Sequence, residues 1–164
     1  MPVLKPSLGR YYVKWLDPRY FKSALALQQF STHCFLSEAR FVHLMCGGSM
    51  GYVATTVRND ALAFILFRPH PEDQMVHFID LVVHPDHRRK GLGKLLVARM
   101  KSASTDFKCI LAKTGEHNTL GHVFMREAGF KAYYLLRGVG SESETDYCFI
   151  YSKDEKIVQE ACKT

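Results

Sequence analysis

The feature that most constrains this chain is a continuous run at residues 79–93, Ile-Asp-Leu-Val-Val-His-Pro-Asp-His-Arg-Arg-Lys-Gly-Leu-Gly. Its apolar, β-branched part at residues 78–83 predicts a buried strand. A polar turn follows at residues 84–87, where the proline cannot donate a hydrogen bond to a sheet. Residues 88–93 then open an amphipathic helix that continues a little beyond Met100. The fold must therefore join a buried strand directly to a helix.

The start of that helix has the features of an anion-binding site. Unpaired backbone N–H groups, the helix dipole and the basic side chains of Arg88, Arg89 and Lys90 all favour negative charge. Gly91 and Gly93 lack a Cβ atom, so a phosphate group has close access to the main chain. The alternative is an exposed basic helix start whose glycines serve only the loop.

Composition limits the class of protein. A chain of 164 residues with 47% apolar and 23% charged residues suits a single globular domain over residues 1–164. No apolar run is long enough for a membrane span, and the N-terminus lacks the apolar centre of a signal peptide, so we expect a cytoplasmic protein without membrane partners. The net charge of +6 favours an acidic partner such as a phosphate-rich cofactor. Nucleic acid is disfavoured, because the other basic residues are scattered and not interleaved with aromatic ones.

The cysteines form an odd, scattered set without a C-x-x-C pair. This pattern predicts reduced thiols, most of them buried. The residues are Cys34, Cys46, Cys109, Cys148 and Cys162.

Elsewhere the chain alternates between strand and helix patterns, which predicts a mixed α/β sheet. Asp17-Pro18 and Ser37-Glu38 are typical helix starts. Predicted strands lie at 11–15, 50–57, 61–67, 75–83, 107–112, 129–136 and 147–151, and predicted helices at 19–30, 37–46, 94–100, 118–127 and, as a short tail, within 152–164. Polar loops are predicted at residues 68–73 and 138–145.

Two motifs resemble those of the GNAT superfamily of N-acetyltransferases. Arg88, Gly91 and Gly93 match its (R/Q)-x-x-G-x-(G/A) acetyl-CoA motif, after a Leu-Val-Val strand. Asn118 and the pair at 129–130 match its N-x₆-Y-x₃-G-F helix. The closing segment at 129–153 is most similar to the ribosomal-protein N-terminal (alanine) acetyltransferase branch. The resemblance implies a GNAT fold: a mixed, mostly antiparallel sheet of about six to seven strands flanked by about four helices.

The resemblance also implies a cofactor site. The implied co-substrate is acetyl-CoA. Main-chain groups of the central strand would hold its pantetheine arm and acetyl carbonyl, and the loop at residues 88–93 would wrap its pyrophosphate. No metal is expected, because His84 and His87 flank a proline turn and have no third ligand near them in sequence. The cofactor residues implied are Leu81, Val82, Val83, Arg88, Arg89, Lys90, Gly91, Leu92, Gly93, Lys94 and Asn118.

Three residues are candidates for catalysis. Asp80 is a carboxylate within an apolar strand, where burial would raise its pKa toward a useful range; the alternative is an ion pair or a cap. Glu116, beside His117 in the loop before Asn118, is either a base or a solvated side chain. Asn118 either orders cofactor and water or caps its helix.

Two positions depart from the family pattern. The tyrosine that usually protonates the leaving thiolate falls on Met125, which cannot donate a proton. The usual base falls on Lys113, and lysine is a poor base unless burial lowers its pKa. Tyr133 and Tyr134 either replace the lost acid or pack as core aromatics.

The sequence therefore predicts an acyltransferase that moves an acetyl group from acetyl-CoA to a primary amine, by direct attack in a ternary complex. The acceptor by resemblance is a protein N-terminus, with a small amine, an amino sugar or a lysine side chain as alternatives. The protein is a monomer or homodimer. The rival prediction is a catalytically weak or inactive acyl-CoA-binding module that acts through a macromolecular partner.

Overall fold

The computed structural model describes residues 11–31, 36–137 and 145–163. Within them lie seven strands and five α-helices in an α/β arrangement. The strands are β1 Tyr12–Trp15, β2 Met50–Thr55, β3 Ala61–His70, β4 Met75–Val83, β5 Cys109–Gly115, β6 Lys131–Arg137 and β7 Thr145–Tyr151. The helices are α1 Pro18–Leu27, α2 Glu38–Cys46, α3 Leu92–Ala103, α4 Thr119–Glu127 and α5 Glu155–Ala161.

Backbone hydrogen bonds order the strands β1-β2-β3-β4-β5-β7-β6. The β1–β2, β2–β3, β5–β7 and β6–β7 pairs are antiparallel, whereas β4 and β5 run parallel. The predicted mixed, mostly antiparallel sheet is confirmed. The described residues hold five helices where about four were expected. No helix among them has the length and apolar content that crossing a bilayer requires.

The chain divides into two compact units. The first takes the described residues up to Arg68 together with Asp80–Ala103, and the second takes Pro69–Ile79 with the described residues from Ser104 onward. Strand β4 therefore contributes its first half to the second unit and its last four residues to the first. The single domain over residues 1–164 stays a prediction.

In the first unit, local sequence explains where the helices begin. The Asp17 carboxylate accepts from the Arg19 amide at 3.0 Å, and Pro18 occupies the first helical position of α1. Ser37 caps α2 in the same way through the Arg40 amide. All residues of β2 after Met50 are buried, and α3 packs against this strand.

The first helix ends earlier than its apolar spacing predicts. The α-helix stops at Leu27, and a 3₁₀ turn, Gln28–Phe30, takes over its last three predicted residues. A tighter 3₁₀ turn at a helix end is common. Here it places Gln28 inside the protein, where only 1% of the residue is exposed.

In the second unit, α4 and α5 pack on strands β6 and β7. Its core includes Val76, Ile110, Phe130 and Phe149, each at most 2% exposed. Strand β3 runs on through Arg68 and Pro69 to His70, so the predicted polar loop at 68–73 shortens to residues 71–74. Proline is tolerated there because it lies close to the strand end.

The cysteine prediction is partly wrong. The four described cysteines are free thiols, but only Cys148 is buried, while Cys109 is partly buried and Cys46 and Cys162 are exposed. Both exposed cysteines lie at helix ends, where side chains face water. Cys34 lies outside the described residues, as do residues 138–144 of the loop predicted at 138–145, whereas Thr145 begins β7.

Candidate active site

The loop between β4 and α3 contains two residues in left-handed conformations just before the first turn of the helix. Arg89 and Gly91 adopt left-handed conformations with φ of 58° and 82°. A left-handed residue beside a right-handed one can turn neighbouring N–H groups toward one anion, and only glycine adopts this conformation without steric cost. The Gly91 carbonyl accepts from the Leu95 amide at 2.9 Å, so helix hydrogen bonding begins there. The first-turn amides of α3, at Leu92 and Gly93, therefore precede the helical ladder.

Two basic side chains stabilise this loop. The Arg88 guanidinium donates to the Val83 carbonyl and to the Phe30 carbonyl, each at 3.1 Å. Lys90 Nζ donates to the Asp86 carbonyl at 2.7 Å. Both predicted phosphate ligands thus bind main-chain carbonyls of their own unit. Their direct contact with a cofactor stays a prediction.

The end of β4 supplies main-chain groups close to this loop in sequence. The parallel ladder pairs Met75, Val76 and His77 with Cys109–Leu111. Strand β4 continues for residues 78–83 beyond that ladder. Val82 is 2% exposed, whereas Leu81 and Val83 are partly buried. The roles of Leu81, Val82 and Val83 in holding an extended ligand remain predictions.

Asp80 is a buried carboxylate whose two oxygens are both hydrogen-bonded. Only 9% of the residue is exposed. Oδ1 accepts from the Leu81 amide at 2.8 Å, and Oδ2 accepts from Gln28 Nε2 at 2.7 Å. Burial raises the pKa of Asp80 to about 6, although both hydrogen bonds oppose that change. Asp80 is therefore ionised at neutral pH and still has a pKa suited to accepting a proton.

Gln28 is the residue that sequence analysis missed. Its Oε1 accepts from the Leu36 amide at 3.2 Å, which fixes the amide so that Nε2 faces Asp80. Tyr20, Ala24 and Leu27 form the buried face of α1, and Gln28 lies four residues after Ala24 on that same face. The sequence did contain one indication of this role, because Gln28 is a polar residue on an otherwise apolar helical face.

Asn118 and Glu116 belong to the second unit. Asn118 caps α4, because its Oδ1 accepts from the Gly121 amide at 2.7 Å. A Cβ atom on Gly121 would lie 2.3 Å from the Asn118 amide nitrogen, so this cap needs glycine there. Glu116 is exposed and lies 3.9 Å from His117 Nε2. Capping is thus observed for Asn118, while catalytic and cofactor roles for both residues stay predictions.

The positions that depart from the family have ordinary structural environments. Met125 is a core residue of α4 at 4% exposure, and Lys113 is exposed on β5. Tyr134 is 54% exposed, so the alternative of core packing is wrong for it. Tyr133 is the extra residue of a bulge between Ala132 and Tyr134. Burial, with smaller contributions from Cys148 and Cys109, raises the pKa of Tyr133.

Comparison with known proteins identifies the fold. No curated protein matches the chain significantly. Similar solved structures include the ribosomal-protein-S18-alanine N-acetyltransferase from Escherichia coli, with TM-score 0.76, 15% identity and coverage of 87% of this chain and 93% of that one. Arabidopsis thaliana NAA60 in complex with acetyl-CoA gives TM-score 0.72 and 13% identity over 87% and 98%. The spermidine N-acetyltransferase from Vibrio cholerae gives TM-score 0.72 and 11% identity over 92% and 98%.

At these identities the structural matches establish the fold alone. The family itself is established by sequence. The model of the Acetyltransferase (GNAT) family matches residues 11–130, well over half of the 164 residues. The chain therefore belongs to the GNAT family of acetyltransferases.

Proposed function

We propose that this protein transfers the acetyl group of acetyl-CoA to a primary amine, by direct attack of the amine in a ternary complex. The observation that carries the proposal is the loop of Arg89 and Gly91 at the start of α3, directly after the strand that holds Asp80. This loop supplies a cradle of amides, and the strand supplies a buried carboxylate with a pKa of about 6.

The chemistry of the loop fits a diphosphate-containing cofactor. Backbone N–H donors come from the first turn of α3 and from the left-handed residues 89 and 91 before it. Positive charge comes from the exposed side chains of Arg89 and Lys94. Acetyl-CoA, when bound, supplies an acetyl group activated as a thioester. Leu81, Val82 and Val83 would hold the extended arm through their main-chain groups, in the manner of an added strand.

Asp80 takes the role of base in this proposal. The amine must be neutral to attack, so its proton has to leave. The amine nitrogen then forms the C–N bond while the thioester C–S bond breaks, and the released thiolate takes a proton from solvent, since Met125 has none to give. Both Asp80 oxygens already accept hydrogen bonds and the side chain is buried. Asp80 therefore receives the proton on Oδ1 or Oδ2 through an intervening water. Glu116 and Asn118, which belong to the second unit, are retained as further candidates for moving a proton and for ordering water.

The acceptor that we favour is a protein N-terminus. The supporting observation is the similarity in fold to the Escherichia coli S18-alanine enzyme, together with the closing sequence pattern. Spermidine acetyltransferase has the same fold, so small amines are the alternative to be tested. Free thiols at the four described cysteines support a cytoplasmic compartment. The assembly is a monomer or homodimer.

The test is release of thiol from acetyl-CoA across peptides with different N-termini, lysine peptides and polyamines. Asp80→Asn is measured beside Asp106→Asn, which changes an exposed aspartate. We expect turnover on one acceptor class that is lost in Asp80→Asn and kept in Asp106→Asn. Turnover that survives in Asp80→Asn would exclude Asp80 as the base.

A second candidate is a module that binds acyl-CoA without efficient catalysis. Its support is Met125, which is buried where the family has its acid and has no proton to donate. Tight binding of acetyl-CoA without thiol release on any acceptor would favour this module over the enzyme.

A further inference from the structure

The turn between β3 and β4, with the adjoining strand ends, carries four side chains of types that commonly bind metal ions. We name His70, Glu72, Asp73 and His77 the hairpin cluster. Nδ1 of His70 lies 3.4 Å from Oε1 of Glu72. The ligand atoms of His70, Glu72 and Asp73 all lie within 4.8 Å of one another. Among the described residues, this is the one group of three such side chains at that spacing.

His77 places a second imidazole beside that of His70. Its ring centroid lies 4.5 Å from that of His70, with the ring planes tilted by 47°. His77 also interacts electrostatically with Asp73 and, in the opposite sense, with Lys113. The cluster thus combines two imidazoles from different strands with two carboxylates from the turn.

The distance between donors fits a tetrahedral ion. Two ligands bound at about 2.1 Å to a tetrahedral centre lie about 3.4 Å apart. The His70–Glu72 pair has this separation already. The ligand atom of Asp73 lies within 4.8 Å of the other two, and both acidic residues are exposed, so little packing opposes a closer approach.

We propose that the hairpin cluster binds one divalent transition-metal ion, of which zinc is the representative. Mixed imidazole and carboxylate donors favour such an ion over magnesium or calcium, which prefer oxygen ligands alone. The ion would join β3 to β4 beyond the turn. The sequence raises the question of a metal only at His84 and His87. The structure extends β3 to His70 and places its ring 4.5 Å from the ring of His77 on β4.

The test uses the full chain without a histidine tag, titrated by calorimetry with Zn²⁺ and separately with Mg²⁺. We expect one Zn²⁺ per chain, no detectable Mg²⁺ binding, and a higher thermal midpoint with Zn²⁺. His70→Ala and His77→Ala should each weaken Zn²⁺ binding by about tenfold or more, since removing even an outer-shell partner of a metal ligand typically costs about 10–100-fold. Glu72→Gln should weaken it less, because the other donors remain.

His43→Ala is the matched control, since it removes an exposed histidine from α2. It should leave Zn²⁺ affinity unchanged. The proposal is overturned if Zn²⁺ does not bind, or if His70→Ala and His77→Ala bind it as tightly as the parent. Equal binding of Mg²⁺ that survives both histidine substitutions would also overturn it, because the acidic residues alone would then explain binding. Before titration, an unchanged circular dichroism spectrum verifies that each variant is folded.

Discussion

Replacing Gln28 by methionine should move the pH dependence of catalysis. The Gln28 amide donates to Asp80 at 2.7 Å and stabilises the ionised carboxylate. A hydrogen bond to a charged group contributes about 1.5–3 kcal/mol, and one pKa unit corresponds to about 1.4 kcal/mol. Losing the bond should therefore raise the pKa of Asp80 from about 6 by roughly 1–2 units.

The consequence is a loss of activity confined to lower pH. At pH 7 the ionised fraction of Asp80 should fall from about nine-tenths to between about one-half and one-tenth. Gln28→Met should thus lower kcat/KM about two- to tenfold at pH 7 and much less at pH 9. The Leu36 amide loses its acceptor as well, and this lowers stability at every pH.

The assay is kcat/KM for one acceptor between pH 5.5 and 9, expressed as the ratio of variant to parent at each pH. The ratio cancels the protonation of the acceptor amine, which both proteins share. Gln29→Met, a change at the exposed neighbouring residue, should give a flat ratio near one. If Gln28→Met gives a reduced ratio that is the same at every pH, Gln28 serves only the packing and does not set the pKa of Asp80.

Three further predictions concern the carboxylate and the loop. The pKa of Asp80 is about 6 in the folded protein, against a reference value of 3.8. The contribution of this group to the free energy of unfolding is therefore highest below pH 3.8 and falls by about 3 kcal/mol as the pH rises through about 6. In urea denaturation series from pH 3.5 to 7, Asp80→Asn should lack this decline. Gly91→Ala should cost about 1 kcal/mol of strain and raise KM for acetyl-CoA, whereas Gly48→Ala, at the similar φ of 91°, should lose similar stability without changing KM. Arg88→Met should lower the thermal midpoint of unfolding by a few degrees, because two carbonyls lose their donor. Arg89→Met should leave that midpoint unchanged and should reduce the salt dependence of acetyl-CoA binding.

Local patterns predicted most of the fold because local contacts decide it. The Asp17 cap of α1, the Ser37 cap of α2 and the Asn118 cap of α4 each join residues two or three positions apart. The apolar strand and the glycine loop likewise depend on neighbours in sequence. Strand ends were less predictable: β3 runs through Pro69 to His70, since pairing with β4 outweighs the local preference for a turn.

The candidate site was predictable only in part, because its decisive contacts join distant residues. Gln28 and Asp80 are separated by 52 positions, and Arg88 and Phe30 by 58. A basic motif indicates positive charge near a phosphate, but it does not reveal that the Arg88 side chain turns back onto Val83 and Phe30. The hairpin cluster also depends on pairing between strands, so sequence spacing alone did not indicate it.

The direction of the hydrogen bonds around Asp80 shows why this carboxylate suits the role of a base. Leu36 donates to Gln28, which donates to Asp80, and Leu81 donates to the other carboxylate oxygen. Each N–H donor in the network thus faces an oxygen that accepts, and this arrangement stabilises the ionised form of Asp80. Burial acts in the opposite direction and is the larger effect, so the pKa is raised to about 6 and not lowered. Without the donors the carboxylate would stay protonated near neutral pH, and without burial it would bind a proton too weakly to accept one from an amine.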